Sequence, residues 1–152
     1  MLDRYSIEFV REDIKKIKSN KDLFVSQAGY ECEIDYKLDF LTVSKDEISV
    51  SEANELVDSG TVRYILLTSS NLPARLISLE GTIEIIPPDF KTINANGAGD
   101  TTAAYIAAFG VDNLILTIKK ACAAGAIVAG TNEQPTIEKI EEISQLVEVN
   151  PR

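Results

Sequence analysis

Histidine is absent from this 152-residue chain, and its two cysteines, Cys32 and Cys122, lie far apart with no metal-type spacing. A zinc site and a histidine-based catalytic triad are excluded, because the chain has neither the ligands nor the base that they need. Basic runs are also missing, and the formal net charge is −9. Phosphate-backbone and anionic-lipid recognition depend on clustered Lys and Arg, so neither nucleic acid nor a membrane is an expected partner. No uninterrupted apolar stretch approaches the length of a membrane span, and Met1 leads into Asp3 and Arg4 instead of an apolar leader. A soluble, cytoplasmic protein is the expectation.

Apolar residues make up 45% of the chain, enough for one ordinary domain with a substantial core. There is no internal repeat, low-complexity segment or interdomain linker, so residues 1–152 read as a single domain. Ile7, Val10, Ile14 and Ile17 recur at helical spacing after Ser6, with Glu12 and Lys16 as an outward pair, and predict a helix over 6–19. Two buried strands are expected at 22–26 and 38–43. Ser49 and Glu52 have capping-box spacing before Ala53, Leu56 and Val57, predicting a short helix that stops at Gly60. The run 62–68 is the clearest strand. A β-hairpin over 74–86, turning at Glu80-Gly81, should end at Pro87-Pro88. Further helices are expected at 103–109, at 112–129 with Gly130 as its stop, and around Ile137, Ile140, Ile143 and Val147. In the second of these, Ile115, Ile118, Cys122, Gly125, Ala126 and Ala129 share a face that permits close backbone approach. The acidic residues Glu138, Glu141 and Glu142 read as a solvated face. Alternating strands and helices predict a three-layer α/β domain with a largely parallel sheet.

The chemistry concentrates at Thr92 to Thr101, where Gly97 and Gly99 immediately precede an alanine-rich helical run. The first amides of a helix have no internal acceptor and carry its positive end, so Gly97, Ala98 and Gly99 can form an anion hole. Asp100 stands beside that hole, where a carboxylate is electrostatically awkward unless it handles a proton. It is the candidate general base. The plainer alternative is a tight strand-to-helix turn in which Asp100 only complements the helix dipole.

With these residues in view, the chain resembles the C-terminal, nucleotide-binding half of the PfkB, or ribokinase-like, carbohydrate kinases. Gly97-Ala98-Gly99-Asp100 matches that family's Gly-Ala-Gly-Asp motif. The order of elements also agrees: a strand ending at Thr68, a hairpin ending at Pro87-Pro88, the motif, an Ala/Gly-rich helix, then Gly130-Thr131 and Pro135. The resemblance implies a truncated, Rossmann-like ribokinase-type fold and transfer of the γ-phosphoryl of ATP to a hydroxyl of a sugar or related molecule. Asp100 would be the base and Gly97 to Gly99 the anion hole, with ATP and Mg2+ as cofactors. Thr68, Ser70, Asn94, Asn96 and Gly125 fall in the implied nucleotide and phosphate region, and Glu47 matches a glutamate that acts near magnesium.

Several positions depart from that pattern. Ser44 replaces the asparagine that precedes the glutamate, Ser70 and Pro73 occupy the places of two glycines after Thr68, and Asn94-Ala95 stand where Asp-Thr is usual. A loop or cap role is preferred for Glu47 over magnesium handling, and a polar loop for Ser69, Ser70 and Asn71 over phosphate binding. The part of such kinases that supplies most of the sugar site has no counterpart here. A fragment, a chain completed by a partner, or a remnant with another role are the expected alternatives. The competing function is a non-catalytic anion- or nucleotide-binding or assembly protein. In either case a homo-oligomer or a complementing subunit is expected, because a surface that the absent part would cover otherwise meets water. Sedimentation of the isolated chain should show a dimer or larger species, and a clean monomer at high concentration would refute this.

Overall fold

The computed structural model describes residues 23–30, 34–70, 72–131 and 133–151. The helix expected over 6–19 and Cys32 lie outside them, as does Asn71. The described residues form a six-stranded sheet in the order β1 to β6: Ser26–Ala28, Leu38–Ser44, Val62–Thr68, Ala74–Ser78, Gly81–Ile86 and Glu148–Pro151. Four helices accompany it: α1 (Val50–Asp58), α2 (Ala98–Phe109), α3 (Leu114–Thr131) and α4 (Ile137–Ser144). The α/β class is as expected, and the sheet is mixed. β1, β2 and β3 run parallel, whereas β3 to β6 pair antiparallel through the hairpin.

Side chains alternate across the strands and thereby define two cores. Leu41, Val43, Ile65, Leu67 and Ile77 pack with Ala53 and Val57 of α1 on one face. Phe40, Leu66, Leu76 and Ile85 pack with Ile106, Ile118 and Ala121 of α2 and α3 on the other. The sheet is therefore covered on both sides, which explains why β2 and β3 read as nearly continuous apolar runs. Fully buried side chains such as Phe40, Leu66 and Ile118 each stabilise the fold by roughly 1.5–3 kcal/mol. α3 has the length and mean hydropathy (1.5) of a membrane span, but Lys119 and Lys120 interrupt it and 44% of it is buried within the fold.

Several expectations shift. β1 begins at Ser26, and the backbone before it is held differently, since the Val25 amide donates to Asp39 Oδ2 at 2.8 Å. The hairpin turns at Leu79-Glu80, not Glu80-Gly81, because Gly81 is already paired with Ser78, whose Oγ accepts from the Glu80 amide at 3.3 Å. α3 runs through Gly130 to Thr131. A Cβ at Gly130 would come within 3.2 Å of Phe90, so the glycine provides clearance instead of a stop. The last helix ends at Ser144, leaving Val147 outside it, and Glu148–Pro151 then adds an edge strand for which there was no expectation. Nor is Glu141 merely solvated, for it accepts a hydrogen bond from Lys120 and ties α4 to α3. The buried set of α3 includes Thr117, Ala121, Ala123, Ala124 and Ile127 beside Ile118 and Gly125, while Ile115, Cys122, Ala126 and Ala129 are only half-buried.

The capping box of α1 forms as its spacing predicts. The Glu52 amide donates to Ser49 Oγ at 3.2 Å, and the Ser49 amide donates back to Glu52 Oε2 at 2.8 Å. The Ser49 amide's bond to the ionised carboxylate, with a smaller contribution from the Ser49 side chain, holds Glu52 below its ordinary proton affinity. Ser49→Ala should lower stability by about 1 kcal/mol in denaturant titrations. A depressed carboxylate contributes stability above its unfolded-state pKa and loses it as pH falls through the folded one. Glu52→Gln, which removes the titrating acceptor, should therefore cost most at neutral pH and least on acidification below the carboxylate range.

Candidate functional site

Ser44 and Thr68 end β2 and β3 as register partners, so the carboxyl ends of the parallel strands meet there. In open α/β sheets ligands bind outside those ends. A cleft of about 890 Å³ lies at this edge, with walls from Thr68 to Ser70, from Ile86 to Thr92, from the start of α2, and from Cys122, Gly125, Ala126 and Ala129 of α3. Cys122 is half-buried, and burial pushes its thiol up to about 12.

Gly97 is the N-cap of α2 at φ +79°, a left-handed conformation that L side chains rarely adopt, and it makes no side-chain cap. The chain before it is hung from α3: the amides of Ile93 and Asn94 donate to the Ala129 carbonyl at 2.8 and 3.1 Å. Asn94 Oδ1 then accepts from the Asn96 amide at 3.0 Å, closing a side-chain-assisted turn. The Ala98 amide donates to the Ala95 carbonyl at 3.2 Å and is thereby withdrawn from the expected anion hole. Among the described residues, the amides of Gly97, Gly99 and Asp100 have no acceptor. Asp100's own amide thus joins the unspent set, which the dipole of α2 makes electropositive.

Thr68, Ser70, Ala98, Gly99 and Gly125 all line the cleft. Gly97, Asn94, Asn96, Asp100 and Glu47 are solvent-exposed and are not part of it. Two of the expected groups are already engaged. The Thr68 hydroxyl donates to the Val43 carbonyl at 3.2 Å. Glu47 accepts from the Ser44 amide through Oε2 at 2.7 Å and from the Tyr30 amide through Oε1 at 3.3 Å, which is the loop-closing role weighed against magnesium handling. Sequence reasoning overlooked Phe90, Lys91 and Thr102, which all line the cleft. The pair Pro87-Pro88 does end β5, and it lines the cleft as well.

No family profile matches the chain, and no curated protein sequence matches it either. Solved structures do. A Staphylococcus aureus protein assigned as a phosphofructokinase superposes with a TM-score of 0.73 at 19% identity, over 91% of this chain and 52% of that one. Ribokinase from Thermotoga maritima gives a TM-score of 0.70 at 18% identity, over 86% of this chain and 52% of that one. This chain has a ribokinase-type fold. The tetrameric inhibited form of phosphofructokinase-2 from Escherichia coli is similar too, with a TM-score of 0.71 at 17% identity over 88% of this chain and 51% of that one. The chain spans about half the length of these sugar-kinase structures.

Within this ribokinase-type fold, Ser70 has a positive φ of 33° although it carries a side chain. It stands where the resembling motif has a glycine, and its backbone lies in the left-handed region that glycine favours. Left-handed backbone costs an L residue roughly 1–2 kcal/mol, partly offset by the entropy that glycine adds to the unfolded chain. Ser70→Gly should therefore raise the thermal midpoint, by the equivalent of up to about 1 kcal/mol. A lower midpoint would mean that the Ser70 hydroxyl stabilises the loop.

Proposed function

We propose that this chain carries the phosphate-binding part of a ribokinase-like sugar kinase, with ATP as phosphoryl donor. One observation carries the reading: the left-handed Gly97 cap leaves the amides of Gly97, Gly99 and Asp100 unspent, in a turn whose Ala98 and Gly99 line a cleft at the ends of parallel strands. Backbone amides suit phosphates because they are fixed before the ligand arrives and cost no reorganisation. Asp100 would accept the proton of an acceptor hydroxyl as that oxygen bonds the γ-phosphorus and the bond to the leaving ADP oxygen breaks. Among the described residues no three His, Cys, Asp or Glu side chains gather to hold a metal. The nucleotide's phosphates would supply most ligands of a magnesium ion, with Glu47 as the one carboxylate expected near it, the usual economy of such sites. The sugar-like acceptor needs a complementing surface, from a second subunit or from further polypeptide.

A second reading, anion or nucleotide binding without turnover, is favoured by the engaged hydroxyl of Thr68, the engaged carboxylate of Glu47 and the exposed Asp100. Calorimetry with ATP and magnesium, and with inorganic phosphate, tests both. The parent should bind. Gly99→Val should abolish binding by obstructing the backbone, whereas Asp100→Asn should preserve or strengthen it by removing a like charge. With the acceptor half supplied, Asp100→Asn should also abolish turnover. If the parent binds no nucleotide or phosphate at millimolar concentration, the phosphate-site reading fails and the turn is structural.

A further inference from the structure

We infer that Thr102 and Gly125 act together as positioning residues for the proposed phosphate-binding turn, an inference that rests on reading that turn as an anion site. Gly125 is buried in the middle of α3. A Cβ added there would lie 2.3 Å from Thr102 Oγ1 and 2.9 Å from the Ala98 carbonyl oxygen, distances that real Cβ atoms do not tolerate. The first turn of α2 therefore rests on the bare backbone of α3. Thr102 is buried, and its hydroxyl donates to the Ala98 carbonyl at 3.0 Å. This bond keeps the hydroxyl in the space that glycine leaves open.

The consequence is geometric. Ala98, Gly99 and Asp100 belong to one helical turn, so whatever fixes Ala98 also fixes the direction of the next two amides. α3 holds the incoming chain as well, through the Ala129 carbonyl that takes the amides of Ile93 and Asn94. The turn is thus secured to α3 at two places four residues apart, about one helical turn. Neither Thr102 nor Gly125 has to touch a phosphate to control its affinity. A side chain at position 125 would push the turn outward, and loss of the Thr102 hydroxyl would leave unfilled the space against Gly125 on which the turn packs.

The full chain, labelled with 15N and titrated with inorganic phosphate, tests this through the amide signals of Gly99 and Asp100. The parent should show saturable shifts at both. Gly125→Ala and Thr102→Ala should bind phosphate roughly tenfold more weakly or worse, since small misplacements of preorganised groups are costly. Thr102→Ser keeps the hydroxyl and should restore the parent affinity. Ala53→Gly, in α1 on the opposite face of the sheet, should lower stability yet leave phosphate affinity as it is in the parent. Should Gly125→Ala fail to fold, Thr102→Ala against Thr102→Ser decides the matter, because neither adds an atom. Parent-like affinity in Thr102→Ala, or a loss no greater than in Ala53→Gly, overturns the positioning role while leaving the anion site standing. Absence of phosphate shifts in the parent overturns the anion site and the positioning role together.

Discussion

The close contact between α2 and α3 is the constraint on which the rest of the site depends. The two helices cover the sheet face formed by Phe40, Leu66, Leu76 and Ile85. Small residues at Ala121, Ala124 and Gly125 let α3 lie against its neighbours with little between them. In a close-packed interior such a contact has almost no slack, so a single added methyl is felt across the interface. α3 thereby fixes both the loop that enters the glycine turn and the first turn of the helix that leaves it. Gly97 then has to supply the left-handed backbone that joins the two.

This dependence explains what could be read from the sequence and what could not. Val62–Thr68, the capping box at Ser49 and the glycine turn before α2 are set by neighbouring residues, and the structure bears them out. Gly130 shows the opposite case: its local signal is a helix stop, but its function is to make room for Phe90, forty positions away in sequence. The short strand Glu148–Pro151 has only one half-buried residue, Val149, and a proline that only an edge position tolerates. No alternation could reveal it. The one-residue shift of the hairpin turn has a similar origin, because a serine hydroxyl closes the turn where glycine was expected to.

The site was legible to the same degree and for the same reason. A glycine cap implies spare amides, and spare amides are present among the described residues. Which amides they are follows from an Ala98 to Ala95 hydrogen bond that depends on how the loop hangs from Ala129, a tertiary fact. Thr102 was equally hidden, since its meaning lies in a helix that begins twelve residues later. The resemblance to sugar kinases pointed to Thr68 and Glu47. In this chain both spend their polar atoms on backbone partners, as residues of a loop scaffold commonly do.

Binding and proton transfer make different demands on such a site, and this chain meets them unequally. An anion needs fixed donors, which the backbone around Gly97 can provide within a single chain. A general base needs a partner hydroxyl held within reach and a setting from which water is expelled. Asp100 is exposed and stands outside the cleft wall, and the wall itself consists mainly of Ser, Thr, Pro, Ala and Gly with few groups suited to orienting a polyol. On the proposed reading, phosphate affinity is therefore a property of this chain alone. Turnover is a property of whatever surface closes over Asp100, and the geometry of α2 against α3 decides where that surface must bring its hydroxyl.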